Sequence, residues 1–131
     1  MQIKSEAYTG RITKLYRYLL NVKKEKTMAT QIYRSGSSIG ANIAESRYAQ
    51  SGPDFINKLS IALKEAGETE YWLGSIFQAG LIDKRGYDSM LSDNVELTKM
   101  LISSIKTMKK NWAGSSKTNH NYSLFTINYK L

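Results

Sequence analysis

Four long stretches of this chain repeat apolar residues at three- and four-residue steps, and that period confines the fold to a bundle of helices. The first predicted helix runs from about Ser5 to Lys23. Tyr8, Ile12, Leu15, Leu19 and Val22 form its apolar stripe, with Arg11, Lys14 and Arg17 roughly opposite. The second runs from about Thr27, its expected cap, to near Ala49, with Met28, Ile32, Ile39 and Ile43 as its stripe. Beside them Gly36, Gly40 and Ala44 recur every four residues. Each glycine within a helix costs about 1 kcal/mol against alanine, so the pair implies close approach by a neighbouring helix.

The third predicted helix opens in the string SGPDF. Ser51 caps, Pro53 sits in the first turn and Asp54 faces the positive end of the helix dipole. Leu59, Leu63, Ala66, Leu73 and Phe77 make its stripe, Glu70 fills the longest gap, and Gly80 with Leu81 reads as a Schellman stop. The fourth begins after Asp83 and runs to about Trp112. Its seam is Tyr87, Leu91, Asn94, Thr98, Leu101, Ile105, Met108 and Trp112. Short connections favour antiparallel neighbours, so the expected fold is all-α, an antiparallel up-down-up-down four-helix bundle over residues 1–112. Residues 113–131 read as a polar tail, disordered or packed on a neighbour, in which Phe125, Ile127, Tyr129 and Leu131 alternate like a strand.

Charge is distributed unevenly. Residues 1–50 hold nine Lys/Arg against three Asp/Glu, a balance of +6. Residues 51–97 hold four against eight, −4, and residues 98–131 hold six against none, +6. Basic ends around an acidic middle suit a polyanionic partner or complementary packing between subunits. No run approaches the roughly 18 apolar residues of a membrane span, and the opening MQIKSEAYTGRITK lacks the apolar core of a secretory signal. The cytoplasm is the expected location. The absence of cysteine suits it and excludes disulfides.

Catalytic chemistry is hard to place. A di-iron bundle needs Glu-x-x-His on two helices, and the lone histidine, His120, lies in the tail. Glu65, Glu68 and Glu70 therefore read as ion-pair partners, and no metal or cofactor is expected. There is no G-x-S-x-G elbow. RSGSSIG, from Arg34, lacks the P-loop pattern. Asn42, Glu70 and Asn94 fall near the seams and read as register-fixing polar groups. Trp72 beside Tyr71 fits either edge packing or the anchor of a subunit interface.

The candidate functional residues are basic. Arg11, Lys14 and Arg17, then Lys23, Lys24 and Lys26, lie on or just after the first helix, and Lys99, Lys106, Lys109 and Lys110 on the fourth. If those helices are neighbours, the two groups make one cationic surface able to track a phosphate backbone. A solvated face that keeps the protein soluble fits the same residues. Tyr16, Tyr18 and Tyr33 add stacking surfaces or ordinary core.

The strings YRSGSSIGANIAES and DFINKLSIALKEAGETEYWL closely resemble the four-helix bundle family encoded by intervening sequences within bacterial 23S ribosomal RNA genes. The accessory variability proteins of diversity-generating retroelements are more distant relatives. The resemblance spans about Lys4 to Lys110. It implies a ring-like homopentamer with a basic surface, nucleic-acid binding in some relatives, and no established enzymatic reaction. Matched by position, the family's polar and small residues are Arg34, Ser38, Gly40, Asn42, Glu45, Lys58, Glu65, Glu68 and Trp72. Gly67 and Gly74 depart from the usual pattern and weaken the third helix.

Two functions follow as expectations. One is a non-enzymatic nucleic-acid-binding oligomer that helps an RNA or a reverse transcriptase act. The other is a structural or protein-interaction module in which the acidic middle of one subunit meets the basic ends of the next.

Overall fold

The computed structural model describes residues 1–115, with side chains through Asn111. The tail beyond Ser115 and the seam position of Trp112 lie outside the described residues and side chains. Four helices follow one another: α1 (Gln2–Asn21), α2 (Lys26–Ser46), α3 (Gly52–Gln78) and α4 (Lys84–Ser115). The fourth thus continues three residues past the expected end.

The helix ends follow local chemistry. α1 stops where Lys24 turns into the left-handed region (φ 55°), and the Glu25 N–H donates back to the Leu19 carbonyl at 2.9 Å. Val22, expected in the apolar stripe, caps this end and is 62 % exposed. Glu25, not Thr27, is the N-cap of α2. Its carboxylate accepts the Met28 N–H at 2.9 Å, which starts the helix early and puts Thr27 inside the first turn. α2 closes at Ser46, short of Ala49, because the Arg47, Tyr48 and Ala49 amides bond three residues back and tighten the chain into a turn.

α3 opens as its sequence predicts. Ser51 Oγ accepts the Asp54 N–H at 3.2 Å, and the Asp54 carboxylate accepts the Gln50 N–H. It closes in a Schellman motif: Gly80 has φ 75°, its N–H reaches the Phe77 carbonyl, and the Leu81 N–H reaches Ile76. Asp83 caps α4 by accepting the Gly86 N–H at 2.7 Å.

Connections of four or five residues cannot return the chain along a helix of about 30 Å, so consecutive packed helices run antiparallel. Cross-helix pairs agree. Tyr16 stacks on Tyr33 and Gly36 lies against Ile12; Arg34 meets Glu65 and Glu45 meets Lys58; Lys4 meets Glu96 and Arg11 meets Ser89. Successive helices share broad contacts, whereas α1 and α4 touch far less.

The core is aliphatic. Ile12, Leu19, Ile32, Leu59, Leu73 and Leu97 are fully buried, each contributing about 1.5–3 kcal/mol relative to exposure. A Cβ on Gly36 would stand 2.8 Å from the Ile12 side chain, and one on Gly40 would stand 2.8 Å from Thr9 Oγ1. The two glycines let α1 and α2 approach closely.

Two seam assignments shift. In α3 Glu70 is exposed and Thr69 fills the gap, bonding to the Glu65 carbonyl and to Ser35 Oγ at 3.0 Å. In α4 the buried seam is Met90, Asn94, Leu97, Leu101 and Ile105, with Leu91 and Thr98 half-buried beside it. The predicted and observed seams share Asn94, Leu101 and Ile105, and differ by one residue at Met90 for Leu91 and Leu97 for Thr98. Asn94 does join two helices, its amide donating to the Tyr8 hydroxyl at 3.2 Å. Asn42 only donates to Ser38 O within its own helix.

Candidate nucleic-acid interface

The antiparallel register divides the predicted basic surface. Arg11 faces Ser89 and Asp93, and Lys4 faces Asp93 and Glu96, so residues 106–110 of α4 lie toward and past the α1 N-terminus. Lys14, Arg17, Lys23 and Lys24 lie toward the other end, all exposed. The two groups are about 30 Å apart along the bundle, several Debye lengths, with Asp93 and Glu96 between them. The structure therefore separates Lys106, Lys109 and Lys110 from the α1 cations. Burial pushes the half-buried Lys109 amine below its ordinary pKa.

Arg11 belongs to the helix seam. Its guanidinium holds Asp93 Oδ2 at 2.6 Å and Ser89 Oγ at 2.8 Å, and Lys4 adds contacts to Asp93 at 3.2 Å and Glu96 at 2.9 Å. Burial alone would raise the Asp93 pKa, but the hydrogen bonds from Arg11 and Lys4 together outweigh it and hold the carboxyl below its usual range.

Two cations at the other end escaped the sequence reading. An up-down bundle puts its first and third turns at the same end, so Lys84 and Arg85 at the start of α4 join Lys23, Lys24 and Lys26. A surface depression of about 410 Å³ lined by Tyr18, Lys23, Leu81, Ile82 and Asp83 shows the two turns side by side. The connectivity alone carries this signal; counting charge by sequence segment hid it in the acidic middle.

The acids here are engaged. Glu25 and Asp83 cap helices, and Asp88 binds Lys84 at 2.6 Å, raising the lysine pKa. Lys14, Arg17, Lys24, Lys26 and Arg85 are exposed and have no ion-pair partner among the described residues. The N-termini of α2 and α4 meet the C-termini of α1 and α3 at this end, so the helix dipoles largely offset one another and the side chains set the charge.

The remaining candidate residues meet along α2 and α3. Arg34 bridges Glu65 at 3.4 Å and Glu68, and the Trp72 indole lies close enough to Glu68 to favour its charged form. The Arg34 hydrogen bond, with the nearby Trp72 behind it, lowers the Glu68 pKa. Lys58 pairs with Glu45 at 3.2 Å, and Ser38 bonds the Arg34 carbonyl. Ala44 is half-buried beside them. Tyr71, 65 % exposed, rests edge-on against Trp72. Among the described residues no three His, Asp or Glu side chains stand close enough to hold a metal ion. Nor is any helix long and apolar enough to cross a membrane.

The model of the 23S rRNA-intervening sequence proteins matches residues 2–103. The chain belongs to that family. A solved structure from Bacteroides thetaiotaomicron VPI-5482, described as a protein of unknown function from the S23 ribosomal protein family, is 52 % identical with a TM-score of 0.79. The similarity covers 80 % of this chain and 97 % of that one. Among curated proteins, none matches. The stretch shared with the 23S rRNA-intervening sequence family includes every cation at the turn end from Lys14 to Arg85, and excludes Lys106, Lys109 and Lys110.

Proposed function

We propose that this protein binds the phosphate backbone of nucleic acid, without catalysis, through the bundle end formed by the α1–α2 and α3–α4 turns. It acts in this reading as a homo-oligomeric accessory factor, assembled as a pentamer, for an RNA or a reverse transcriptase in the cytoplasm. One observation carries the proposal: unpaired cations from both turns share an end whose acids are tied up in caps and ion pairs.

Fluorescence anisotropy with a labelled oligonucleotide across a salt series tests it. Affinity is expected to fall steeply with salt, and each phosphate contact removed should flatten the log–log slope by about 0.7–0.9. Lys24→Glu with Arg85→Glu should weaken binding strongly, and Lys106→Glu with Lys110→Glu should change it little. Equal effects from both pairs, or none from either, would refute the assignment of the end.

A second reading, assembly alone, is favoured by a different surface. A shallow depression of about 370 Å³ on α4 sets apolar Leu91 and Val95 among Asp88, Glu96 and Lys99, its acids paired with Lys84 and Lys4, and offers apolar area ringed by charge to another copy. Exposed Tyr48 and Tyr71 supply further apolar area. Light scattering separates the readings. An oligomer that moderate salt dissociates and nucleic acid leaves unchanged supports the second.

A further inference from the structure

Below the Arg11–Ser89 contact no described side chain makes a hydrogen bond or ion pair between α1 and α4, and a groove opens between them. Leu15, Ile82, Met90 and the ring of Tyr18 line about 320 Å³ there, with Arg11 and Lys14 at one rim. The depression between the turns adjoins it, sharing Tyr18, Ile82 and Gly86, and brings Lys23 to the other rim. Asp83 is the one acid among these lining residues, and the Gly86 N–H holds its carboxylate. Gly86 keeps the wall low; a Cβ there would press on Asp83 Oδ1 at 3.1 Å.

The groove therefore offers an apolar, partly aromatic floor between cations. Tyr18 is 39 % exposed, and the Lys23 ammonium lies 5.9 Å from its ring centroid. Solvated cations alone would grip duplex and single strand alike, because both present phosphates. A duplex buries its base faces, and the unpaired cations from Lys14 to Lys23 extend only about 14 Å along the α1 axis before Asp93 and Glu96 neutralise Arg11 and Lys4. A short cationic track over an apolar slot fits a few nucleotides with an exposed base.

We propose that the groove between α1 and the start of α4 lodges an unpaired nucleobase against Tyr18, with Lys14 and Lys23 holding the flanking phosphates, so that the protein selects single-stranded over duplex nucleic acid. The proposal rests on the nucleic-acid reading above and specifies which form is bound. Neither the cations nor the tyrosine face addresses a 2′-hydroxyl, so RNA and DNA strands share the preference.

The test uses the full chain and one mixed-sequence oligonucleotide, in RNA and DNA forms, presented single-stranded, annealed to its complement, or abasic. The single strands should bind at least about tenfold tighter than the duplexes and the abasic strand. Tyr18→Ala should weaken single-strand binding roughly five- to a hundredfold, the range of one lost base–aromatic stack, and leave duplex binding unchanged. Tyr18→Phe should retain the preference. Its partial exposure lets Tyr18 be replaced without emptying the core, and a thermal melt by circular dichroism confirms that each variant is folded. Abasic and base-bearing strands of equal affinity, or a Tyr18→Ala variant with wild-type preference, would overturn the groove while salt-sensitive binding upheld the basic end. Absence of binding to every oligonucleotide would overturn both.

Discussion

Gly36 and Gly67 sit in helices of the same bundle, and substituting alanine at each separates intrinsic propensity from packing. At Gly67 an added Cβ meets nothing within 4 Å, so Gly67→Ala should stabilise by about 1 kcal/mol, the helix-propensity gain. At Gly36 the same gain is opposed by contacts of 2.8, 2.8 and 2.9 Å to Cδ1, Cγ2 and Cγ1 of Ile12. Ile12 is fully buried and cannot swing away, and overpacking of this kind costs about 1–3 kcal/mol. The net for Gly36→Ala lies from about neutral to 2 kcal/mol destabilising. Urea melts followed by circular dichroism measure both variants. A double-mutant cycle isolates the cause, because Ile12→Ala removes all three contacting atoms, at its own cost of about 2–5 kcal/mol. In that background Gly36→Ala should become stabilising by about 1 kcal/mol. If Gly36→Ala stabilises the wild-type bundle as much as Gly67→Ala does, the close α1–α2 approach is refuted.

Three further outcomes are expected. Because Asp93 is held below its ordinary pKa when folded, its stabilising effect is complete above about pH 4 and fades as pH falls through the folded value. Urea midpoints from pH 7 to pH 2 should therefore drop less for Asp93→Asn than for the wild type, and parallel profiles would exclude the effect. Arg34→Ala strands the largely buried Glu65 carboxylate; discounted for the half-exposed arginine, the cost should be about 1–2 kcal/mol by chemical denaturation, and Glu65→Gln on top should recover part of it. Ser51→Ala removes the α3 cap and should cost about 1 kcal/mol, with Ser51→Asp restoring most of it in the same assay.

Much of this molecule is legible in its residues. The four amphipathic stripes, the Ser51 start and the Gly80 stop of α3 depend on interactions within a few residues, which a linear reading captures. Where two adjacent columns both carry side chains that can be buried, as Met90/Leu97 and Leu91/Thr98 do on α4, period alone does not choose between them, and only the neighbouring helices do. Glu25 illustrates a different gap, since a glutamate caps less often than the threonine two residues on, and the left-handed Lys24 sets the helix start. The candidate site is legible in part. Charge alone singles out Lys14, Arg17, Lys23 and Lys24, whereas the pairing of Arg11 with Asp93, 82 residues away, shows only in the fold. Lys84 and Arg85 required following the topology around the bundle.

The sparse, polar α1–α4 seam also bears on how the chain reaches its fold. The other three helix pairs are hairpins whose loops of four or five residues close at little entropic expense. Tyr8 and Asn94, in contrast, are joined across 86 residues by one hydrogen bond, flanked by ion pairs. Low contact order in the hairpins favours rapid folding, and the seam, with the longest loop to close and the least apolar area to gain, forms last. Amide hydrogen exchange should record that order in native conditions, with α1 opening from the seam while the α2–α3 hairpin stays protected.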